Sequence, residues 1–191
     1  MKTIFSKLMP GLLVAATGFA FTACGDDDEP KVDDKFSTEY IFTAELNADL
    51  LKTADVKAYV LSPEGSVTEE TVTKAKSTWT LNGNSIPDKA GVLLEFQPKS
   101  GDFSGEYEIE YKVNRTVTCL NNGSVVTTDS KGYTETFSVS AENIRDFWTG
   151  TGIILSGEVN ASGKASITNG DNLDFGLNLA ISRPEGGQPK F

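Results

Sequence analysis

Three glutamates stand at alternate positions of one stretch, residues 106–119, which reads EYEIEYKVNRTVTC. Side chains two residues apart on a β-strand share a face, about 6.5–7 Å from each other. Carboxylates at that separation can act as acid and base in inverting glycoside hydrolysis. Glu106, Glu108 and Glu110 are neighbours on one wet strand face, however, and no residue pattern around them indicates a cleft. We therefore interpret them as a solvated face and predict that the chain is not an enzyme.

Histidine is absent from the 191 residues, which removes the commonest general base and the commonest metal ligand. Cys119 has no histidine to activate its thiol, so we expect it to pack as a small apolar residue. Arg115 interrupts the apolar row of the same stretch. We expect a structural role for it, either reaching solvent at the strand end or pairing with a carboxylate inside. No catalytic residue and no cofactor is predicted.

Oxygen-bearing side chains cluster near the C-terminus, at Asn169, Asp171, Asn172 and Asp174. Calcium is bound by such oxygens, and Asp171 and Asp174 are the weak candidates for ligands. The spacing is not that of an EF-hand, and Asn, Asp and Gly are also the ordinary residues of turns. We therefore predict a turn and no metal site.

Three aromatic residues are candidates for stacking on sugar rings: Trp148, Phe147 and Trp79. Phe147 and Trp148 stand close to glycines in a predicted loop, and a β-sandwich is a common platform for carbohydrate binding. The alternative is that these rings fill the core, as most large aromatic side chains do. The exposure of the two tryptophans distinguishes the two interpretations.

The elements that must position these residues are strands. Residues 106–119 alternate apolar and polar side chains, which is typical of an antiparallel sheet that covers a core with one face. Eight to ten such segments with short turns and no βαβ spacing predict an all-β domain over residues 36–183. We expect an antiparallel two-sheet β-sandwich of immunoglobulin-like or transthyretin-like character. A calycin-like β-barrel is the alternative.

Local signals predict the first half of the domain in more detail. Asn47 is expected to cap a helical turn, and residues 56–61 to form an inner strand because both faces are apolar. Residues 66–81 read as one strand region at a sheet edge, rich in Thr and Lys. Residues 82–91 read as a loop.

The second half begins with a hairpin at Asn122-Gly123, whose two-residue geometry places Val126 opposite Cys119. The apolar phase then changes, which predicts a bulge with Gly132 at positive φ, or alternatively a full turn there. We further expect Ser140 to cap a short helical turn and residues 173–181 to form a last core strand. Residues 184–191 read as a flexible tail.

The first 23 residues read as a signal peptide, with two lysines followed by a mostly apolar run over residues 8–21. The run ends in Phe21-Thr22-Ala23-Cys24, which resembles the lipobox of bacterial lipoproteins, although Phe21 replaces the usual leucine. The resemblance implies that Cys24 is acylated and becomes the new N-terminus. An ordinary secretory signal cut nearby is the alternative.

Residues 24–35 comprise the lipidated cysteine and an acidic linker, GDDDEPKVDDK, that cannot bury enough apolar surface to order itself. Acids directly after the cysteine also resemble the lipoprotein export signal of the Bacteroidetes, which implies the outer face of the outer membrane. A solvated charge run is the alternative interpretation. The net charge of −10 argues against nucleic acid as a partner.

These features are similar to those of small surface lipoproteins of the Bacteroidetes. The resemblance implies an outer-membrane protein held by its lipid anchor. We predict a non-enzymatic binding or structural module of the cell envelope, with a glycan or an envelope protein as its further partner. A carbohydrate-binding accessory lipoprotein of a glycan-uptake system is the alternative function.

Overall fold

The alternating segments form strands, as seen in a computed structural model that describes residues 34–177. The predicted signal peptide, Cys24, most of the acidic linker and the predicted tail lie outside these residues. The elements, in chain order, are β1 (Phe36–Leu46), α1 (Ala48–Thr53), β2 (Ala54–Leu61), β3 (Val67–Val72), β4 (Lys76–Gly83), β5 (Asp88–Pro98), β6 (Glu106–Asn121), β7 (Ser124–Ser140), α2 (Ile144–Trp148), β8 (Thr151–Val159) and β9 (Ala165–Thr168).

Two antiparallel sheets pack face to face. Sheet A has the strand order β4-β1-β6-β7, and sheet B has the order β3-β2-β5-β8-β9. The predicted β-sandwich is confirmed. The alternative of a calycin-like barrel is wrong, because the described strands form two separate sheets and no closed barrel.

The apolar rows of β1, β5 and β6 meet in the core between the sheets. On β6 the odd-numbered side chains from Tyr107 to Cys119 are all buried, while the even-numbered ones lie on the outer face of sheet A. On β5, Val92, Leu94 and Phe96 are buried from the other side. The period-two pattern therefore identified the inward faces correctly.

The predicted single strand region over residues 66–81 is in fact two strands. β3 pairs only with β2, and β4 pairs only with β1, so each occupies the edge of a different sheet. The predicted edge character is confirmed, whereas the predicted continuity is wrong because the chain crosses between sheets at residues 73–75. The predicted loop at 82–91 is also too long, since β4 and β5 leave only residues 84–87 between them.

The β6–β7 hairpin has the predicted turn but not the predicted register. Asn122 and Gly123 have φ of 50° and 79°, as a two-residue turn requires. The register shifts between Cys119 and Leu120, so Thr127 rather than Val126 lies opposite Cys119. The extra residue is thus absorbed beside the turn and not near residue 132.

Gly132 has a different role from the predicted bulge. It pairs regularly with Asn114, and a Cβ at Gly132 would lie 2.2 Å from the Asn114 Oδ1. The Val113 carbonyl oxygen would lie 2.9 Å from the same Cβ, and this backbone contact favours glycine at position 132.

Of the two predicted helix caps, only the one at Asn47 is confirmed. The Asn47 Oδ1 accepts a hydrogen bond from the Leu50 N–H at 2.9 Å, as an N-cap should. The second helix begins only at Ile144, after Asn143. The predicted cap at Ser140 is wrong, because its Oγ accepts from the Asn143 side chain at 2.9 Å instead.

Residues 173–177 do not form the predicted last core strand. Leu173 and Phe175 pack instead on the outer face of sheet B, against Tyr59, Leu61 and Leu93. A Cβ at Gly91 would lie 2.3 Å from the Leu173 Cδ1, so the missing side chain makes room for this contact. The alternating apolar residues of this segment pack against sheet B, but the segment is not one of its strands. Residues 178–181 of the predicted strand lie outside the described part.

Candidate functional site

Trp148, a predicted glycan-stacking residue, lies in the core with 0% of its surface exposed. Its Nε1 donates to the Thr53 Oγ1 at 3.1 Å, and its ring centroid lies 4.9 Å from that of Phe96. The indole thus joins α2 to the end of α1. A ring enclosed on all sides cannot stack on a sugar, so the stacking prediction fails for Trp148.

Phe147 is partly buried and continues the same aromatic cluster. Its ring lies 4.6 Å from Trp148 and 5.4 Å from Phe137, in edge-on arrangements that aromatic pairs favour. Phe137 in turn contacts Tyr111 at 6.1 Å. The cluster connects α2 to β7 and β6, and it fills the interior rather than presenting a platform to solvent.

Trp79, the third stacking candidate, is 8% exposed. Its Nε1 donates to the Glu70 carboxylate. Trp79 belongs to β4 and Glu70 to β3, so this bond links the edge strands of the two sheets. Both tryptophans therefore have structural positions, and the structure does not bring the three aromatic candidates together on a surface.

Glu106, Glu108 and Glu110 are all exposed on the outer face of sheet A. The Glu106 Oε1 accepts a hydrogen bond from the Ser138 Oγ on β7 at 2.7 Å. The three carboxylates follow one strand of a β-sheet, each beside a hydroxyl of the neighbouring strand at Thr136, Ser138 or Ser140. This is the solvated face expected from the sequence.

A partly buried polar cluster that the sequence did not reveal lies at one end of the sandwich. The Thr38 Oγ1 donates to the Asp88 Oδ2 at 2.5 Å, and the Tyr40 hydroxyl donates to the other Asp88 oxygen. A Cβ at Gly83 would lie 2.0 Å from the Asp88 Oδ2, so only glycine leaves room for this carboxylate. Asp88 was not predicted because it lies in the segment that was interpreted as a loop. The available signal was on β1, where Thr38 and Tyr40 are both on the face that points toward the core.

Burial raises the pKa of the Tyr40 phenol well above its ordinary value, and the neighbouring Asp88 raises it further. Burial also raises the pKa of the Cys119 thiol, with Asp88 again contributing. The Cys119 side chain is fully enclosed, which confirms its predicted role as a core residue. Because both shifts favour the protonated forms, this cluster suits hydrogen bonding rather than nucleophilic chemistry.

Arg115 is buried where its guanidinium can join the two sheets. Its Nη1 donates to the Thr168 carbonyl on β9 at 3.2 Å, and its Cζ lies 5.8 Å from the Tyr133 ring centroid. β6 belongs to sheet A and β9 to sheet B. The structural role predicted for Arg115 is confirmed, with a carbonyl and a ring as contacts.

Asp171 and Asp174, the weak candidates for metal ligands, are both exposed. The Asp174 Oδ1 accepts a hydrogen bond from the Gly176 N–H at 2.7 Å, which is the local bond of an Asx-turn. Over residues 34–177, no three His, Cys, Asp or Glu side chains group in a way that could hold a metal ion.

The anchoring prediction concerns Cys24, outside the described residues. Within the described part, none of the helices is both long and apolar enough to span a bilayer. Compared with known proteins, the chain matches no family model and no curated protein.

Proposed function

We propose that the chain is a non-enzymatic surface lipoprotein, anchored in the outer membrane through Cys24, whose sandwich domain serves as a binding or structural module of the envelope. The observation that carries the proposal is the order of the N-terminal features: lysines, an apolar run, Thr22-Ala23-Cys24 and an acidic run. Each feature has a physical role in export and anchoring.

The domain that follows suits a module held at a surface. β1 begins at Phe36, only twelve residues after Cys24, so the folded part starts directly where the acidic linker ends. A linker of that length extends to at most about 40 Å. The sandwich would thus work close to the bilayer.

The alternative, a carbohydrate-binding accessory lipoprotein, is less well supported. The large hydrophobic side chains exposed within residues 34–177 are Val67, Val125, Val126 and Leu177, and none of these is aromatic. Ring stacking on a glycan by this part of the chain would have to use side chains that are partly buried, such as Tyr133.

Substitution of the chain's two cysteines tests the anchor. In Cys24→Ala no acyl chain can attach, so the protein should move from the membrane to the soluble fraction on cell fractionation. Cys119→Ala removes the other thiol and should stay with the membrane. Recovery of the Cys24→Ala protein in the membrane fraction, at the level of the unsubstituted chain, would overturn the proposal.

Replacing Asp26, Asp27 and Asp28 by asparagine tests surface display separately from anchoring. If the acids direct export, the variant should remain membrane-bound but become protected when intact cells are treated with a protease. Equal digestion of the variant and the parent protein would show that the acidic run is only a linker. The anchor at Cys24 would stand in either case.

A further inference from the structure

The start of the folded domain is tied to the tip of the β6–β7 hairpin, which comprises residues 121–126. The Asn122 N–H donates to the Lys35 carbonyl at 2.9 Å, and the Asn121 Nδ2 donates to the Asp34 Oδ1 at 2.9 Å. β1 then leads away from this tip, because Phe36 lies opposite Asn121 whereas Leu46 lies opposite Tyr111. Any tether that precedes residue 34 therefore reaches the domain beside the hairpin tip.

The hairpin tip carries two adjacent exposed valines. Val125 is 65% exposed and Val126 is 46% exposed, more than any other large hydrophobic side chain within residues 34–177. Val125 pairs with Leu120, whereas Val126 has no partner on β6 because it is the extra residue at the register shift, and both side chains are left exposed at the tip. The two valines form a small apolar surface that is available to a partner or to a lipid phase.

Two lysines stand near the valines along the backbone. Lys35 accepts the hydrogen bond of Asn122 through its carbonyl, and Lys164 follows Gly163, where an added Cβ would lie 3.9 Å from the Val126 Cγ1. Asp34, the acid closest in sequence to Lys35, accepts the hydrogen bond of the Asn121 amide and keeps its negative charge. Exposed valines with lysines nearby in the chain suit a phospholipid interface, where acyl chains lie beneath anionic headgroups.

The acidic part of β6 lies at the other end of the hairpin. β6 spans 16 residues from Glu106 to Asn121. At about 3.3 Å per residue, the three glutamates at positions 106–110 stand roughly 35–50 Å from the tip. If the tip meets the membrane, these carboxylates and α1, which lies beside them, face away from it.

The length of the tether favours the same orientation. Ten residues separate Cys24 from the Asp34–Asn121 bond, and they extend to at most about 35 Å. A lipid at Cys24 would therefore hold the tip at high local concentration near the bilayer, so that a weak apolar contact becomes populated.

We propose that the hairpin tip docks on the phospholipid surface that carries the Cys24 anchor, with Val125 and Val126 inserted among the headgroups. This inference deepens the proposed function and rests on lipidation of Cys24. The domain is then oriented rather than freely tumbling, with its helices and the outer acids presented to the extracellular side.

Two matched serines on β7 test the contact. Ser124 lies at the tip and Ser138 lies near the far end, and both side chains are exposed. Ser124→Cys and Ser138→Cys are each labelled with an environment-sensitive fluorophore in the full lipidated chain, since the enclosed Cys119 does not react. Labelled protein is bound to vesicles of phosphatidylethanolamine and phosphatidylglycerol and then exposed to an aqueous quencher.

The proposal predicts that vesicle binding shields the label at position 124 several-fold from the quencher and leaves the label at 138 unchanged. Adding Val125→Ser and Val126→Ser to the Ser124→Cys chain should abolish the shielding while the chain still floats with vesicles. Because both valines are exposed, these changes should leave the thermal midpoint within the usual range for surface substitutions.

The outcomes separate the two proposals. A chain that does not float with the vesicles overturns the anchor and the docking together. A chain that floats with equal quenching at 124 and 138 overturns only the docking. Shielding at 124 on intact cells but not on protein-free vesicles would mean that an envelope protein covers the tip, which also overturns the lipid contact.

Discussion

The Thr38–Tyr40–Asp88 cluster places a carboxylate against the core with two hydroxyl donors. A partly buried carboxylate is stabilised by hydrogen bonds that replace lost water, and here both oxygens accept a bond from β1. Gly83 supplies the space in which the carboxylate sits. The cluster therefore fastens the start of β5, in sheet B, to β1, in sheet A.

Because the pKa of Tyr40 is raised in the folded protein, the free energy of unfolding should decrease at alkaline pH. The folded protein keeps the phenol proton where the unfolded chain loses it, so the contribution is complete below about pH 10 and falls as the pH rises above it. Tyr40→Phe should make this alkaline fall shallower. At neutral pH it should cost about 1–3 kcal/mol, because Asp88 loses a donor.

Urea unfolding of both proteins at a series of pH values measures the slope directly. Tyr59→Phe is a useful comparison, because burial and then Glu95 also raise the pKa of Tyr59. Removing the Tyr59 hydroxyl should therefore also make the fall of stability at alkaline pH shallower. The raised pKa of Cys119 acts in all three proteins alike. Parallel curves for Tyr40→Phe and the parent chain would show that Tyr40 does not carry the dependence.

At the level of elements, the β6–β7 hairpin depends on its turn. Gly123 has φ of +79°, which a β-branched residue adopts only at a cost, so Gly123→Val should destabilise the domain by about 1–2 kcal/mol. Ser124→Val is the matched control, since its position starts β7, where valine is favoured. Chemical denaturation of the two variants compares them; equal stability would contradict the requirement for positive φ.

The strands could be predicted where one face packs on the core and the other is exposed to solvent. The alternation in β1 and β6 identified the buried rows because each strand has one face toward the core. The extra residue beside the turn was placed wrongly, since both Val125 and Val126 are exposed and give no phase to read. The separation of β3 from β4 was missed because both edge strands are largely polar and exposed, so no change of pattern marks residues 73–75.

Candidate site residues were harder to predict than strands. Sequence reasoning placed Cys119 in the core because it shares the phase of Tyr107 and Val117 on β6. It could not decide the exposure of Trp148, whose position depends on Thr53 and Phe96 from distant elements. Asp88 was missed because its two donors lie nearly fifty residues earlier in the chain.

On the scale of the whole molecule, the spacing of the two sheets depends on a small residue. Gly157 on β8 faces Val117 on β6, and an added Cβ would lie 2.2 Å from the Val117 Cγ2. Gly157→Ala should therefore destabilise the sandwich by about 1–3 kcal/mol through overpacking.

A double-mutant cycle isolates this contact. Val117→Ala removes the methyl group that the new Cβ would meet, so the two substitutions together should cost less than the sum of the single changes. Thermal or urea unfolding of the four proteins gives the coupling. Strict additivity would mean that the sheets adjust elsewhere and that Gly157 does not set their spacing.

The two sheets differ in what lies outside them, and this difference has an evolutionary consequence. Leu173 and Phe175 cover part of the outer face of sheet B, whereas the outer face of sheet A is exposed at positions such as Thr78, Asn114 and Thr136. Surface substitutions usually change stability by less than about 0.5 kcal/mol, and buried ones by more. Substitutions on the outer face of sheet A should therefore accumulate in evolution at little cost in stability, so that this face can acquire new binding specificities while the fold is retained.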